Sequence, residues 1–438
     1  VEGPGPAMKV VHLSHSDGGG GAARAAYRLH QSLRASGVDS EMFVNSASTG
    51  DWTVRGPQTR WRKLWNLLRG GAALLITRTL KTNNPILHSP AIFRSAWPKK
   101  INRSDADVVH IHWTAGEMLS ISDLRRIKKP IVWTLHDMWA FSGAEHYSED
   151  FRWRDGYRRN NRPVYESGFD LNRWAWRRKR RAWRRKIQIV TPSSWLANCA
   201  KASKLMADWP VEQIFLPLDV HSWEPVDQSV ARELLGLPNG VPLLLFGAVG
   251  GGNDSRKGFD LLLDSISHLE QAVPGLNIVI FGQREPSSPP DLGFPLHYAG
   301  HLTDDVSLRL LYSACDVFAL PSRQDNLPLT VVEALSCGTP VVAFDHSGPP
   351  SIVRHKKTGY LARYMDSEDF AAGIAWVLGQ TSPELLRINV RNYAEQAFDA
   401  ESISFRHIEL YRKVLALAGT KVPPLVKDSR LFGQARSG

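Results

Sequence analysis

The stretch Pro321-Ser-Arg-Gln-Asp325-Asn-Leu-Pro328-Leu-Thr-Val-Val-Glu333-Ala-Leu-Ser-Cys-Gly-Thr-Pro340-Val-Val-Ala-Phe344 decides the fold. It follows Asp316-Val-Phe-Ala-Leu320, an apolar run of strand length that Pro321 and Ser322 end. Pro328 suits the first turn of a helix, where its missing N–H would have no acceptor anyway, so the pattern predicts a helix over 329–336. Gly338 and Pro340 stop that helix, and 340–344 is again apolar and β-rich. Two such strands joined through a helix pair in parallel.

The same alternation extends in both directions. Strands are expected at 243–249 and 277–281, with helices at 259–270, 305–313 and 367–378. The N-terminal half predicts strands at 9–14, 40–44, 107–113, 130–135 and 187–191, and helices at 22–35 and 122–127. Residues 50–103 are irregular apart from an amphipathic stretch near 61–75. The fold class is therefore α/β, two Rossmann-like domains in tandem, as 438 residues exceed what one core holds. The expected division is a non-native leader at 1–7 before Met8, an N-terminal domain at 8–215 and a C-terminal domain at 216–401. A last helix at 402–418 and a mobile tail at 419–438 complete it. No cleavable signal pattern and no membrane-length apolar run is read. Cys199, Cys315 and Cys337, odd in number and in apolar surroundings, are expected as buried thiols of a reducing cytoplasm, with neither disulfide nor structural zinc.

In open parallel sheets, ligands bind beyond the carboxyl ends of the strands, where loops enter helices. There the quoted stretch has Asp325 just outside a helix start and Glu333 inside it. Two acids so placed can accept bonds from sugar hydroxyls while the amides of Leu329 and Thr330 face an anion; they can also simply cap and solvate the helix. A second loop, Gly247-Ala-Val-Gly250-Gly251-Gly-Asn-Asp-Ser-Arg256-Lys257-Gly258, joins glycines to a basic pair at a helix start, suited to the charge of a departing diphosphate. Gly282 and the pair His301-Leu302 lie in loops after further strands. At the N-terminus, Asp17-Gly18-Gly19-Gly20-Gly21 opens a helix and lets backbone approach a phosphate or sugar. Such a loop alone also fits a dinucleotide. Thr134-Leu-His136-Asp137 ends another strand. His110-x-His112 lacks further ligands nearby in sequence and reads as strand-end packing, so no metal is assigned.

Asp325-x7-Glu333 followed by Cys-Gly-Thr-Pro-Val-Val-Ala resembles the E-x7-E motif of the family 4 retaining glycosyltransferases, with Asp in place of the usual first Glu and Asn-Leu-Pro after it. The resemblance covers about 8–416 and is strongest over 243–362. It implies the GT-B arrangement, two Rossmann-like domains facing across a cleft, with the last helix crossing back to the N-terminal domain. It gives Asp325 the donor sugar, Glu333 the nucleotide ribose, Lys257 the diphosphate and Gly282, His301 and Leu302 the base. Gly19, Gly20 and Gly21 match the family's glycine loop and His136 its strand-end histidine near the sugar. The family's arginine is missing where glycines 250–252 stand, and Arg256 is its expected substitute. The catalytic set is then His136, Asp325, Lys257 and Arg256. The implied chemistry is retaining transfer from a nucleotide-sugar, a UDP-sugar in first place, without metal or cofactor.

The net charge of +11 equals the local excess of 152–186, where fourteen Lys/Arg face Asp155, Glu166 and Asp170. Arg173 to Lys186 interleaves nine basic residues with Trp174, Trp176 and Trp183. That composition predicts docking on an anionic membrane surface, with an anionic acceptor site, nucleic acid and a solvated helix as competing readings. The expected partners are a nucleotide-sugar and a glycan or lipid-linked acceptor of surface polysaccharide or glycolipid synthesis, and no nucleic acid is expected. The expected location is the cytoplasm, at the inner face of the membrane. The alternatives are a GT-B sugar-nucleotide epimerase and a non-enzymatic basic protein that binds nucleotides or nucleic acid.

Overall fold

The computed structural model describes residues 7–57, 59–247, 254–420 and 422–423. Residues 1–6 of the expected leader, most of the expected tail, and Gly250 and Gly251 lie outside the described residues. The chain forms two compact units: residues up to Pro217 with those from Glu401 onward, and Leu218–Ala400.

In the first unit seven strands pair in parallel. Their order is Val54–Arg55, Asp39–Ser46, Lys9–Ser16, Val108–Ile111, Ile131–Thr134, Gln188–Thr191 and Val211–Gln213. Helices cover both faces, so strands such as Val108–Ile111 and Ile131–Thr134 are buried along their whole length and read as unbroken apolar runs. The helix Ala400–Leu417 closes this unit: Ile403, Ile408, Leu410, Tyr411 and Leu415 share a core with Val10, Leu29, Leu33, Val108 and Val132.

The second unit has six parallel strands, ordered Leu296–Gly300, Asn277–Phe281, Leu243–Gly247, Val317–Leu320, Val341–Phe344 and Gly359–Ala362. Counted from the first strand of each unit, the central order is 3-2-1-4-5-6 in both. The order reverses between Lys9–Ser16 and Val108–Ile111 in one unit, and between Leu243–Gly247 and Val317–Leu320 in the other. Helices there diverge to opposite faces and leave a crevice at the strand ends.

Three expectations need correction. The helix expected at 122–127 is a single turn, Ile121–Leu124, opened by a reciprocal cap between Ser120 and Asp123. The stretch near 61–75 is a helix, Arg60–Thr77, but its leucines and tryptophans point away from the core. Within 152–186, Trp176 and Trp183 are buried in the first unit's core and Trp174 packs half-buried against it, so these rings are not the exposed anchor that the composition predicted. Lys179 of the Leu171–Ala182 helix is fully buried: its ammonium donates to the carbonyls of Trp139, Ser142 and Gly143 and lies 3.8 Å from the centre of the Trp139 ring. Burial pushes its pKa down, against the pull of Glu145 and Asp137. Among the described residues no helix is long and apolar enough to cross a membrane. All three cysteines are buried free thiols.

The first sheet also buries imidazoles. His12, His30, His110, His112 and His407 are at most 3% exposed. His110 accepts or donates to Tyr411 Oη at 2.6 Å and Thr134 Oγ1 at 2.7 Å, which ties the last helix to the sheet. Desolvation lowers His30 and His407 to about 4 and takes His12, His110 and His112 well below their usual range. These groups are neutral when folded, whereas an unfolded imidazole takes up its proton near pH 6.5. Their contribution to stability is complete above that value and is lost as pH falls from about 6.5 towards 4, on the order of 3 kcal/mol each for His30 and His407. Urea unfolding midpoints measured from pH 7.5 down to 4.5 should fall steeply below 6.5; a flat profile would contradict this account.

Candidate active site

In the second unit the loops at the strand-order reversal bring two of the sequence-derived residues into contact. Lys257 ends the short 3-10 helix Ser255–Lys257 beyond Leu243–Gly247, and Asp325 lies in the loop beyond Val317–Leu320. The Lys257 Nζ donates to Asp325 Oδ2 at 2.7 Å. Lys257 keeps 39% of its side chain exposed and Asp325 15%, so a ligand can reach both. A pair this open contributes no more than about 1 kcal/mol, and exchanging partners for a diphosphate and a sugar hydroxyl costs little.

The backbone holds this pair tightly. Gly258, at φ +67°, starts the next helix, and a Cβ there would lie 1.9 Å from the carbonyl oxygen of Pro321. The Arg323 amide donates to the Arg256 carbonyl at 2.7 Å, and the Arg323 guanidinium binds both oxygens of Asp260. That hydrogen bond holds the Asp260 carboxyl below the usual range. Asp325 is fixed from its other side: its amide donates to Ser347 Oγ at 3.1 Å, and its carbonyl accepts from the Gly348 amide at 2.9 Å. Arg323, Asp260 and Ser347 went unnoticed in the sequence, since Arg323 lies in the loop itself but its partner Asp260 is 63 positions away, and Ser347 is 22 positions from Asp325.

Glu333 lies in the middle of the helix Leu329–Ser336, 1% exposed, and Tyr312 Oη donates to its Oε2 at 3.4 Å. Tyr312 packs edge-on against Phe281, whose ring fills the space a side chain on Gly247 would need. Glu333 is thus linked through Tyr312 to Phe281, the last residue of Asn277–Phe281. Leu329 and Thr330 open its helix, where amides have no intrahelical acceptor. Gly282 and Gly300, both at positive φ, are joined by an amide-to-carbonyl bond of 2.7 Å, which brings together the loops carrying Gly282 and His301-Leu302. His301 is exposed and Leu302 half-buried. The Arg256 guanidinium binds both oxygens of Asp254, at 3.1 and 2.7 Å.

In the first unit the glycine loop follows Lys9–Ser16 and leads into the helix Gly21–Ala35. Gly19 has φ +80°, and a Cβ on Gly19, Gly20 or Gly21 would meet nothing within 4 Å, so the loop presents open backbone. Asp17 anchors it. Burial alone would raise that carboxyl, but bonds from the amides and hydroxyls of Ser48 and Thr49 hold it low. On the neighbouring strands His12, His112 and His136 form a hydrogen-bonded row, with nitrogen separations of 2.9 and 3.3 Å. His136, half-buried at the strand end, is lowered to about 4 by desolvation, opposed by Asp137. It is neutral at pH 7 and able to hydrogen-bond a hydroxyl. Asp137 in turn accepts from Trp113 Nε1 and the Trp139 amide and pairs with His146 at 2.6 Å.

His12, His110 and His112 lie close enough to suggest a metal centre. Their rings are nearly parallel, 17° to 30° apart, so their lone pairs do not converge on one point. Both nitrogens of His110 and of His112 are also engaged by neighbours. This cluster is a packed imidazole stack.

Residues 19–219 match the family described as Glycosyltransferase Family 4, and residues 244–380 match Glycosyl transferases group 1. A D-inositol 3-phosphate glycosyltransferase of Saccharomonospora viridis is 30% identical over 221 residues, 45% of this chain and 49% of the relative. The chain thus spans about half the length of the curated relatives it matches. The sucrose-phosphate synthase of Thermosynechococcus elongatus superposes with a TM-score of 0.65 at 16% identity, over 94% of this chain and 100% of that one. Anabaena Alr3699/HepE, solved with UDP and glucose, gives 0.61 at 17%, over 92% and 99%.

The contact of Gly258 with Pro321 gives a direct test. Gly258→Ala forces both a positive φ and a clash on the loop that carries Lys257, and should cost on the order of 2 kcal/mol, or roughly 4–8 °C in Tm. An unchanged melting curve would mean that the two loops are not locked together.

Proposed function

The chain belongs to the family 4 glycosyltransferases and has the GT-B fold, and from that premise we propose that it transfers a sugar from a nucleoside diphosphate sugar to a glycan or lipid-linked acceptor, with retention and without a divalent metal. The Lys257–Asp325 contact carries this reading. It sets one cation and one carboxylate side by side at the carboxyl ends of two adjacent strands, where helix starts add amide donors. Lys257 then takes the diphosphate oxygens and stabilises their charge as the bond to the sugar breaks, a role for which fixed positive charge in a partly dry site is effective. Asp325 accepts from a sugar hydroxyl, and Glu333 from the ribose. UDP is the first nucleotide to try, because Alr3699/HepE was solved with UDP.

His136, neutral and fixed by the histidine row behind it, is the residue on the first unit assigned to a hydroxyl of the sugar or acceptor. Glycines 19–21 of the same unit offer open backbone to a phosphate or hydroxyl. Arg256 pairs with Asp254 in an equally open contact, which its guanidinium can exchange for a diphosphate oxygen at little cost. The exposed Arg177, Arg180, Arg181 and Arg184 of the basic segment suit an anionic group on the acceptor. Synthesis of a surface polysaccharide or glycolipid is the corresponding setting, with the enzyme acting from the cytoplasmic side.

Thermal-shift screening against UDP-, GDP- and ADP-sugars should single out one nucleotide. Lys257→Ala should then lower kcat for transfer on the order of 100- to 1000-fold, with a smaller change in donor affinity. Asp325→Ala should lose transfer while still binding the free nucleoside diphosphate. Full activity in both variants would remove the site assignment.

A further inference from the structure

The helix Arg60–Thr77 is inside out. Trp61, Leu64, Trp65, Leu67, Leu68, Leu74 and Leu75 are between 46% and 80% exposed, whereas Arg69 and Ala73 face the core. At 100° per residue, Leu64, Leu67, Leu68, Leu74 and Leu75 fall on the side opposite Arg69 and Ala73, and Trp61 flanks them. The Arg69 guanidinium donates to the carbonyls of Phe93 and Glu117, at 2.6 and 2.5 Å, and pins the helix by its polar side. A contiguous outward face of this kind marks an interaction surface.

Charge identifies the occupant. From Trp52 to Ser104 the chain has eleven Lys/Arg and no Asp or Glu. Exposed Arg60 and Lys63 lie at the start of the helix, with Arg78 and Lys81 just past its end. Apolar side chains ringed by cations and free of local acids suit an anionic bilayer, in which leucine and tryptophan enter the acyl boundary and the cations meet phosphates. A cavity of about 430 Å³ runs under the same helix, from Leu74 and Arg78 to His15, Trp113 and Gly116 at the carboxyl ends of the central strands. It leads from the exposed face to the edge where the glycine loop starts.

We propose that the Arg60–Thr77 helix docks this protein on an anionic lipid surface, so that the cavity beneath it receives the apolar part of a lipid-borne acceptor. Docking stands independently of the transferase reading, and only the identity of the cavity's ligand rests on it.

Flotation of the full chain with phosphatidylcholine vesicles, with and without phosphatidylglycerol, tests this. Binding is expected only with phosphatidylglycerol and should weaken at high salt. The variant Trp61→Ser/Leu64→Ser/Leu68→Ser changes exposed positions alone and should keep its melting temperature while losing roughly tenfold or more in binding. Lys63→Glu/Arg78→Glu should lose a similar amount, whereas Arg177→Gln/Arg180→Gln/Arg181→Gln/Arg184→Gln, on the other basic helix, should stay within about twofold. The proposal is overturned if the wild type does not bind at low salt, if the first two variants bind as well as wild type, or if the last one abolishes binding. It is also overturned if the serine variant merely converts a dimer to a monomer, which would make a second copy of the chain the occupant. A donor-induced thermal shift retained by the serine variant separates a failure of docking from a failure of the transferase reading.

Discussion

Parallel pairing with a reversed strand order is the constraint on which the rest depends. Each sheet grows outward in both directions from its first strand, so the loops after the first and fourth strands diverge to opposite faces and leave a crevice between them. In the second unit those loops carry Lys257 and Asp325; in the first they carry the glycine loop and Trp113. Residues 68 positions apart in the chain meet because the sheet gives them no other place to go. The close approach of Gly258 to Pro321 then sets how near the two loops can come.

The first unit adds a second constraint, the burial of charge-capable groups in uncharged form or behind dipoles. His12, His112 and His136 hand hydrogen bonds from the sheet interior to the strand end, and Asp137 fixes the next turn through Trp113, Trp139 and His146. Behind that turn Lys179 gathers the carbonyls of Trp139, Ser142 and Gly143. A buried ammonium bonded to three carbonyls is costly to desolvate but worse to remove, because the carbonyls would lose that donor. The row of imidazoles and the lysine together give His136 a defined position.

The sequence made some of this legible and hid the rest for physical reasons. Strands buried on both faces appear as apolar runs, so 277–281 and 340–344 could be read almost to the residue, and the Asp325/Glu333 spacing followed from the helix between them. Lys179 could not be found, since one buried lysine in an Arg-rich helix carries no local signal. His12, His30 and His407 are scattered along the chain, and only sheet register and the last helix gather them. The engagement of Arg256 with Asp254, two residues away, was within reach of local reasoning. The whole-chain charge concealed the acid-free stretch from Trp52 to Ser104, because acids elsewhere cancel it exactly as the basic segment at 152–186 accounts for the total.

Periodicity also gave the Arg60–Thr77 helix its existence but not its direction. A helix normally turns its apolar stripe inward because that removes the most apolar surface from water. Here the inward position belongs to Arg69, whose planar donors satisfy two carbonyls that the irregular segment around Phe93 and Glu117 leaves without strand partners. Glu117 itself has φ +60° and accepts from the amides of Ile92 and Phe93, so this corner of the unit is held by polar bonds around a tight turn. Once a guanidinium occupies the core side, helical geometry sends Leu64, Leu67, Leu68 and Leu75 outward. The exposed face is therefore a consequence of how the corner beside Gly116 and His15 is built, and the same corner walls the cavity that reaches the strand ends.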